Sequence, residues 1–236
     1  MFAPILSHLL AVYVMLLSPW LGWYLFQKAK KQIQGGMVDA KKRLYRGIVV
    51  EQVLSTIAVL ALISQIPASR LGLVPPRSWT LTISILLVVV VALVWSSLRL
   101  RPKADKIREK IKEGIGILLP DTARDRTWYG AVCVGAGISE ELAFRGFLLY
   151  YYALVLPHAN IMEGLLLSAA FFGIAHIYQG RTGMIGAGIL GLAFGGLYVL
   201  TGSLLLPVVV HAVVDLRALL ILPPVEPQAM AVEVGV

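Results

Sequence analysis

Residues 128–156 read WYGAVCVGAGISEELAFRGFLLYYYALVL. Twenty-nine residues that are almost all apolar or small exceed the roughly 20 needed to cross a bilayer as a helix. Near the middle stand Glu140, Glu141 and Arg145. A charged side chain at the centre of a membrane helix costs roughly 2.5–3.5 kcal/mol on insertion scales. Three such groups must therefore find partners. Two later apolar segments carry complementary polar groups: His176 in the run FGIAH, and His211 with Asp215 in HAVVD.

The rest of the 236-residue chain has the same character. With 58% hydrophobic and 14% charged residues, it lacks the charged surface of a water-soluble domain of this length. Further apolar runs cover 9–26, 48–66, 79–98, 161–178, 184–200 and 203–222. Together with 128–156 they predict an all-α, polytopic transmembrane helix bundle of about seven spans. Their length and the absence of period-2 alternation argue against a β-barrel. The first run has no basic stretch before it and exceeds the apolar core of a cleaved leader, so it reads as a retained anchor.

The formal net charge is +8, yet the cations cluster at span borders. Lys28, Lys30, Lys31, Lys41, Lys42, Arg43 and Arg46 follow the first run; Arg99, Arg101, Lys103, Lys106, Arg108, Lys110 and Lys112 follow the third. This is a positive-inside pattern rather than a nucleic-acid face, and no nucleic-acid partner is expected. It puts both loops in the cytoplasm, the N-terminus outside and the C-terminus inside. The brief loops fit a prokaryotic plasma membrane. Residues 103–119 alternate charge with Ile107, Ile111, Ile115 and Leu118 at helical spacing, predicting an amphipathic helix in the cytoplasmic interface. The tryptophans near span ends read as interfacial anchors.

The chain divides into scaffold spans over 1–127, a chemistry-bearing core over 128–222 and a tail over 223–236, all within one membrane domain. Glu51, the acidic residue of the early spans, reads as a group snorkelling to the basic loop. Cys133, the sole cysteine, lies in an apolar helix and reads as packing. Small residues recur at Ala131, Gly135, Ser139 and Ala143, and again at Gly183, Ala187, Gly191 and Gly195. Spacing of four puts each set on one helix face, where helices approach closely.

Peptide hydrolysis at membrane depth needs a held water, a base to activate it and donors for the oxyanion. Glu141 and Arg145 are four apart and face each other on a helix, while Glu140 lies about 100° round the axis. Arg145 then neutralises Glu141 and leaves Glu140 free as the base. His176 would help hold the water, and His211 with Asp215 would line the opposite wall. One difficulty stands against this. If the spans are ideal helices, Glu140 lies about 18 Å from its cytoplasmic end, whereas His176 lies close to its own. Contact requires that span four begin deeper, or that residues 180–188 be partly buried and re-entrant.

These motifs resemble the CPBP family of intramembrane proteases, best known through the type II CAAX prenyl endopeptidases. The family's Glu-Glu-x-x-x-Arg corresponds to Glu140, Glu141 and Arg145, its Phe-x-x-x-His to Phe172 and His176, and its His-x-x-x-Asn/Asp to His211 and Asp215. The resemblance covers 128–222. It implies that Glu140 and His176 activate water while His211 and the last motif residue stabilise the oxyanion. Its expected partners are membrane lipids and a membrane-anchored or prenylated peptide, and some family members act in bacteriocin-type immunity. Asp215 replaces the Asn of the prenyl endopeptidases, and an ionised Asp donates no hydrogen bond. Glu140, His176 and His211 are also acceptable Zn²⁺ ligands, with water in the fourth position. The His-Glu-x-x-His spacing of common zinc proteases is absent, and a metal-free water fits the same groups. A proton-coupled transporter uses similar intramembrane residues, though no inverted repeat is evident; a non-catalytic membrane scaffold is the remaining alternative.

Overall fold

A computed structural model describes residues 2–224, apart from 63, 64, 112, 113 and 159. Most of the predicted tail, and Lys112 of the basic loop, lie outside the described residues. Among the described residues there is no strand, and the fold is an all-α bundle.

The first rod joins α1 (Phe2–Val12) to α2 (Ser18–Gln34) through a π-helical turn at Tyr13–Leu17. α3 (Ala40–Leu60) returns, followed by a short 3₁₀ turn and α4 (Trp79–Leu100). Ser78 caps α4, its hydroxyl accepting from the Leu81 N–H at 3.2 Å. α4 shows how this bundle inverts the rule for soluble helices: Leu87, Val88 and Val91 are at least 60% exposed, whereas Thr82 and Ser97 are buried. An apolar exterior of this kind requires lipid around it. By length and composition, the helical stretches Ile5–Gln34, Trp79–Ile111 and Ile177–Thr201 are able to cross a membrane.

The basic region departs from expectation. Lys41, Lys42, Arg43 and Arg46 belong to α3 rather than to a loop. Within it, Lys41 donates to the Leu119 carbonyl at 2.7 Å and pairs with Asp121, which also pairs with Arg108 at 3.2 Å. The amphipathic helix predicted over 103–119 is also shorter. α5 spans Ala104–Ile111, and a separate 3₁₀ turn covers Ile115–Leu118. Gly114 and Gly116 disfavour a continuous helix. α5 also packs partly inward, its Ala104 meeting Leu119 and Leu222, with Ile107 and Ile111 against this cluster.

α6 (Ala123–Glu141) opens with a Thr122/Asp125 capping box and continues through a π-helical segment, Leu142–Leu148, into α7 (Leu149–Val155). Asn160 and Glu163 form a second capping box that starts α8 (Ile161–Ala175). A 3₁₀ turn at Ile177–Gln179 leads into α9 (Gly180–Thr201). Gly202, at φ +69°, then ends α9 in a conformation that only glycine adopts without cost, and α10 (Leu205–Ile221) follows.

This arrangement resolves the depth difficulty in a way not expected. α6 begins at Ala123, so the helix start is not deeper, and residues 180–188 are regular α9 helix rather than a re-entrant stretch. Instead α8 is short. Its 15 residues rise about 22 Å, the same distance that separates Glu140 from the end of α7. The α8–α9 turn therefore stops at the level of Glu140. α10 runs antiparallel to α6: Arg126 donates to the Leu219 and Leu222 carbonyls, and Gly137 sits where a Cβ would lie 2.7 Å from the Val208 oxygen.

Candidate active site

Glu141 and Arg145 form a fully buried pair, with Arg145 Nη1 donating to Glu141 Oε1 at 2.8 Å. Arg145 Nη2 donates to the Gly191 carbonyl of α9 at 2.8 Å, and its guanidinium lies 4.3 Å from the Phe172 ring centroid and 5.5 Å from that of Phe194. Gly191 permits this approach, since a Cβ there would stand 3.1 Å from Nη2. One cation thus ties the π-helical segment to α8 and α9. The loosened backbone of that segment gains a further partner, as Ser168 donates to the Phe144 carbonyl at 2.9 Å.

The same Glu141 Oε1 accepts from His211 Nδ1 at 2.8 Å. His211 stacks on Phe194 with centroids 4.8 Å apart and meets Phe172 edge-on at 5.8 Å. Its tautomer follows: with Nδ1–H given to the carboxylate, a neutral ring presents the Nε2 lone pair to the cleft. His176 is set by the same logic. It caps α8, its Nδ1 donates to the Phe172 carbonyl at 2.8 Å, and its Nε2 is left facing inward.

Both Nε2 atoms face Glu140 Oε2, at 3.8 Å for His176 and 4.0 Å for His211. Asp215 Oδ2 lies 3.6 Å from His211 Nε2. These separations are too long for direct hydrogen bonds. Glu140 Oε2 is buried and has no hydrogen-bond partner. Four polar atoms thus converge at separations that a bridging water or a cation would fill. The side chains of Asp215 (37% exposed) and Glu140 (29%) form the open wall, and His211 (5%) the closed one.

Zinc suits these residues by donor type. Tetrahedral ligands at about 2.0–2.1 Å from a metal are, however, only roughly 3.3 Å apart, closer than the separations found. Among the described residues, no group of three His, Cys, Asp or Glu side chains is arranged to hold an ion.

Several neighbours escaped the sequence reading. Glu51 does not snorkel to the basic loop; its Oε1 accepts from the Tyr13 hydroxyl at 2.9 Å, within electrostatic reach of Glu140. Tyr13 belongs to the π-helical turn of the first rod, a local geometry no periodicity announces. Phe194 and the Gly191 carbonyl gave no signal beyond helical spacing. Tyr178, stacked on His176 with centroids 5.8 Å apart, looked like a span-end residue. His8 hydrogen-bonds the Tyr151 hydroxyl at 2.8 Å.

Comparison with curated proteins and with solved structures gave no match. Residues 123–217 match a family model described as type II CAAX prenyl endopeptidase Rce1-like. The matched region, about two-fifths of the chain, contains Glu140, Glu141, Arg145, Phe172, His176, His211 and Asp215. Over residues 123–217 the chain is thus similar to the type II CAAX prenyl endopeptidase Rce1-like proteins, which supports the CPBP/CAAX protease reading of its motifs.

Proposed function

We propose that the protein is a multi-pass intramembrane endopeptidase that hydrolyses peptide bonds of membrane-anchored, CAAX-type substrates with a water activated by Glu140. The observation that carries this reading is the convergence of Glu140 Oε2, His176 Nε2, His211 Nε2 and Asp215 Oδ2. A water placed among them donates one hydrogen bond to Glu140 and one to a histidine. As the water oxygen attacks the carbonyl carbon, Glu140 takes its proton and the carbonyl becomes an oxyanion. Glu140 then passes that proton to the departing nitrogen, and the C–N bond breaks to leave a carboxylate and an amine. Glu141 has no direct part; it fixes His211, and Arg145 balances its charge.

The cycle requires no metal, and the wide separations favour water over zinc. If Zn²⁺ binds, Glu140, His176 and His211 would hold it, and it would polarise the carbonyl or the water. Residues 1–127 act as scaffold, though α2 and α3 reach the site through Phe26 and Glu51. The Lys/Arg distribution supports a cytoplasmic position for the α2–α3 and α4–α6 connections, and with it a cleft between α6, α10 and the α8–α9 turn that opens to that side.

The test compares peptides released from membranes of cells expressing wild type or Glu140→Gln at matched levels, by mass spectrometry, alongside cleavage of an internally quenched peptide ending in a prenylated Cys-a-a-X. Release by wild type alone establishes proteolysis and identifies the cleaved end. Equal release from both removes the reading, and proton flux through liposomes that depends on Glu140 would favour a transporter instead.

A further inference from the structure

The corner where α4 passes into α5 carries charge that the site does not use. On α4, Leu87, Val88 and Val91 face outward, and Trp95, 58% exposed, lies a turn beyond them with the Arg99 guanidinium 4.5 Å from its ring centroid. An exposed tryptophan under an arginine marks the level where hydrocarbon gives way to headgroups. Arg101 and Lys103 follow at once in a 3₁₀ turn, Arg101–Lys103, and both are exposed.

α5 sorts its side chains by face. Ala104, Ile107 and Ile111 pack inward with Leu119 and Leu222, while Arg108 is tied to Asp121 and to the Pro223 carbonyl. Lys106 and Lys110, four apart, form an exposed basic stripe that Lys103 extends; Asp105 and Glu109 form an exposed acidic stripe about 100° round the axis. Cations and carboxylates are therefore segregated, not interleaved. The sequence predicts a helix that enters the interface through its isoleucines, yet here they are engaged inside the bundle. What remains to meet the bilayer is the basic stripe. Because the inward packing already fixes α5, its cations are presented without the ordering cost that a free basic segment would carry.

We propose that the basic face of this corner, formed by Arg99, Arg101, Lys103, Lys106 and Lys110, is a docking surface for the headgroups of anionic phospholipids in the surrounding bilayer. Charge complementarity carries the assignment: Lys and Arg clusters beside a membrane span attract anionic lipid, and the attraction fades within a Debye length, so the cations must be held at headgroup level. The surface does not depend on the hydrolysis proposed above. Its inner side, however, seats Ala218 and Ile221 at the end of α10, the helix that carries His211 and Asp215.

Trp95 is the probe. The full chain, with Trp20, Trp23, Trp79 and Trp128 replaced by Phe, is reconstituted in phosphatidylcholine vesicles that contain the same fraction of either brominated phosphatidylglycerol or brominated phosphatidylcholine. Quenching of Trp95 by the anionic lipid should exceed that by the zwitterionic one at least about twofold at low salt. The ratio should fall to about one in 1 M salt, where the Debye length is only about 3 Å. Arg101→Gln, Lys103→Gln, Lys106→Gln and Lys110→Gln together should abolish the excess at low salt, with Arg99 kept so that the surroundings of Trp95 stay the same. Asp105→Asn with Glu109→Gln should preserve it. Equal quenching by the two lipids overturns the assignment and leaves the face to an acidic protein partner; an excess that survives the four glutamines overturns it by placing the lipid elsewhere. If the Trp→Phe background does not fold, native mass spectrometry of the otherwise unaltered chain and of its four-glutamine variant decides the same point. Retained phosphatidylglycerol should then fall in the variant while retained phosphatidylcholine does not, and no difference between the two proteins overturns the proposal.

Discussion

Replacing Arg145 by Met removes the guanidinium partner of Glu141 at a point where neither side chain is more than 1% exposed. Two hydrogen bonds of 2.8 Å disappear, to Glu141 and to the Gly191 carbonyl, together with the guanidinium contacts to Phe172 and Phe194. What remains is a carboxylate whose Oε2 already lacks a partner and whose Oε1 keeps only His211. Methionine fills most of the arginine stem's space, so the cost is mainly that of an uncompensated buried charge, about 3–5 kcal/mol. Adding Glu141→Gln neutralises that charge, and the amide oxygen still accepts from His211 Nδ1. The double variant should therefore cost less than the single one, below about 2 kcal/mol, with a coupling energy near the upper end of the usual range, about 3 kcal/mol. Equilibrium unfolding by steric trapping in bicelles measures all three. A single-variant cost under about 1 kcal/mol, or a double variant equal to the sum of the two singles, would refute the account of a buried ion pair.

Gly137→Ala places a methyl 2.7 Å from the Val208 oxygen and 3.1 Å from Ala212; it should displace α10, cost roughly 1–3 kcal/mol and lower peptide release through His211, as the same unfolding assay and a release assay will show. Gly191→Ala meets Arg145 Nη2 at 3.1 Å and Phe172 at 3.0 Å, and should reduce release more than Gly186→Ala, whose Cβ has no heavy atom within 4 Å. Dialysis against a strong chelator should leave release unchanged, with no stoichiometric zinc in the purified protein by elemental analysis; loss on chelation and recovery with zinc would reinstate a metal. For topology, single cysteines in a Cys133→Ala background should react with a membrane-impermeant maleimide at Lys42 only after the cytoplasmic face is exposed, and at Pro157 from outside.

The sequence made the helical class legible because composition leaves few alternatives, and motif spacing brought the site residues into view because i,i+4 pairs must share a face. Depth was not legible. Hydropathy marked a run of 161–178, whereas α8 ends at Ala175, and those few residues decide whether His176 and Glu140 meet. Local irregularities were equally hidden: no periodicity marks the π-helical turns at Tyr13 and Leu142, and the Tyr13–Glu51 bond joins residues that share no pattern. The α9 series shows the limit of spacing itself, since Gly191 faces Arg145 and Phe172 while Gly183 accommodates Gln179 of the preceding 3₁₀ turn.

The brevity of α8 also bears on the surrounding lipid. At about 22 Å, against a hydrocarbon layer of about 30 Å, it creates a hydrophobic mismatch along one flank of the molecule. Acyl chains beside it must shorten or tilt, and the headgroup region dips toward the turn that carries His176 and Tyr178. On the proteolytic reading proposed above, an anchored substrate would reach the cleft from a locally thinned bilayer, without drawing its scissile bond through the full thickness. The protein's activity should accordingly depend on membrane thickness, declining as vesicles are made from longer-chain lipids that resist this deformation.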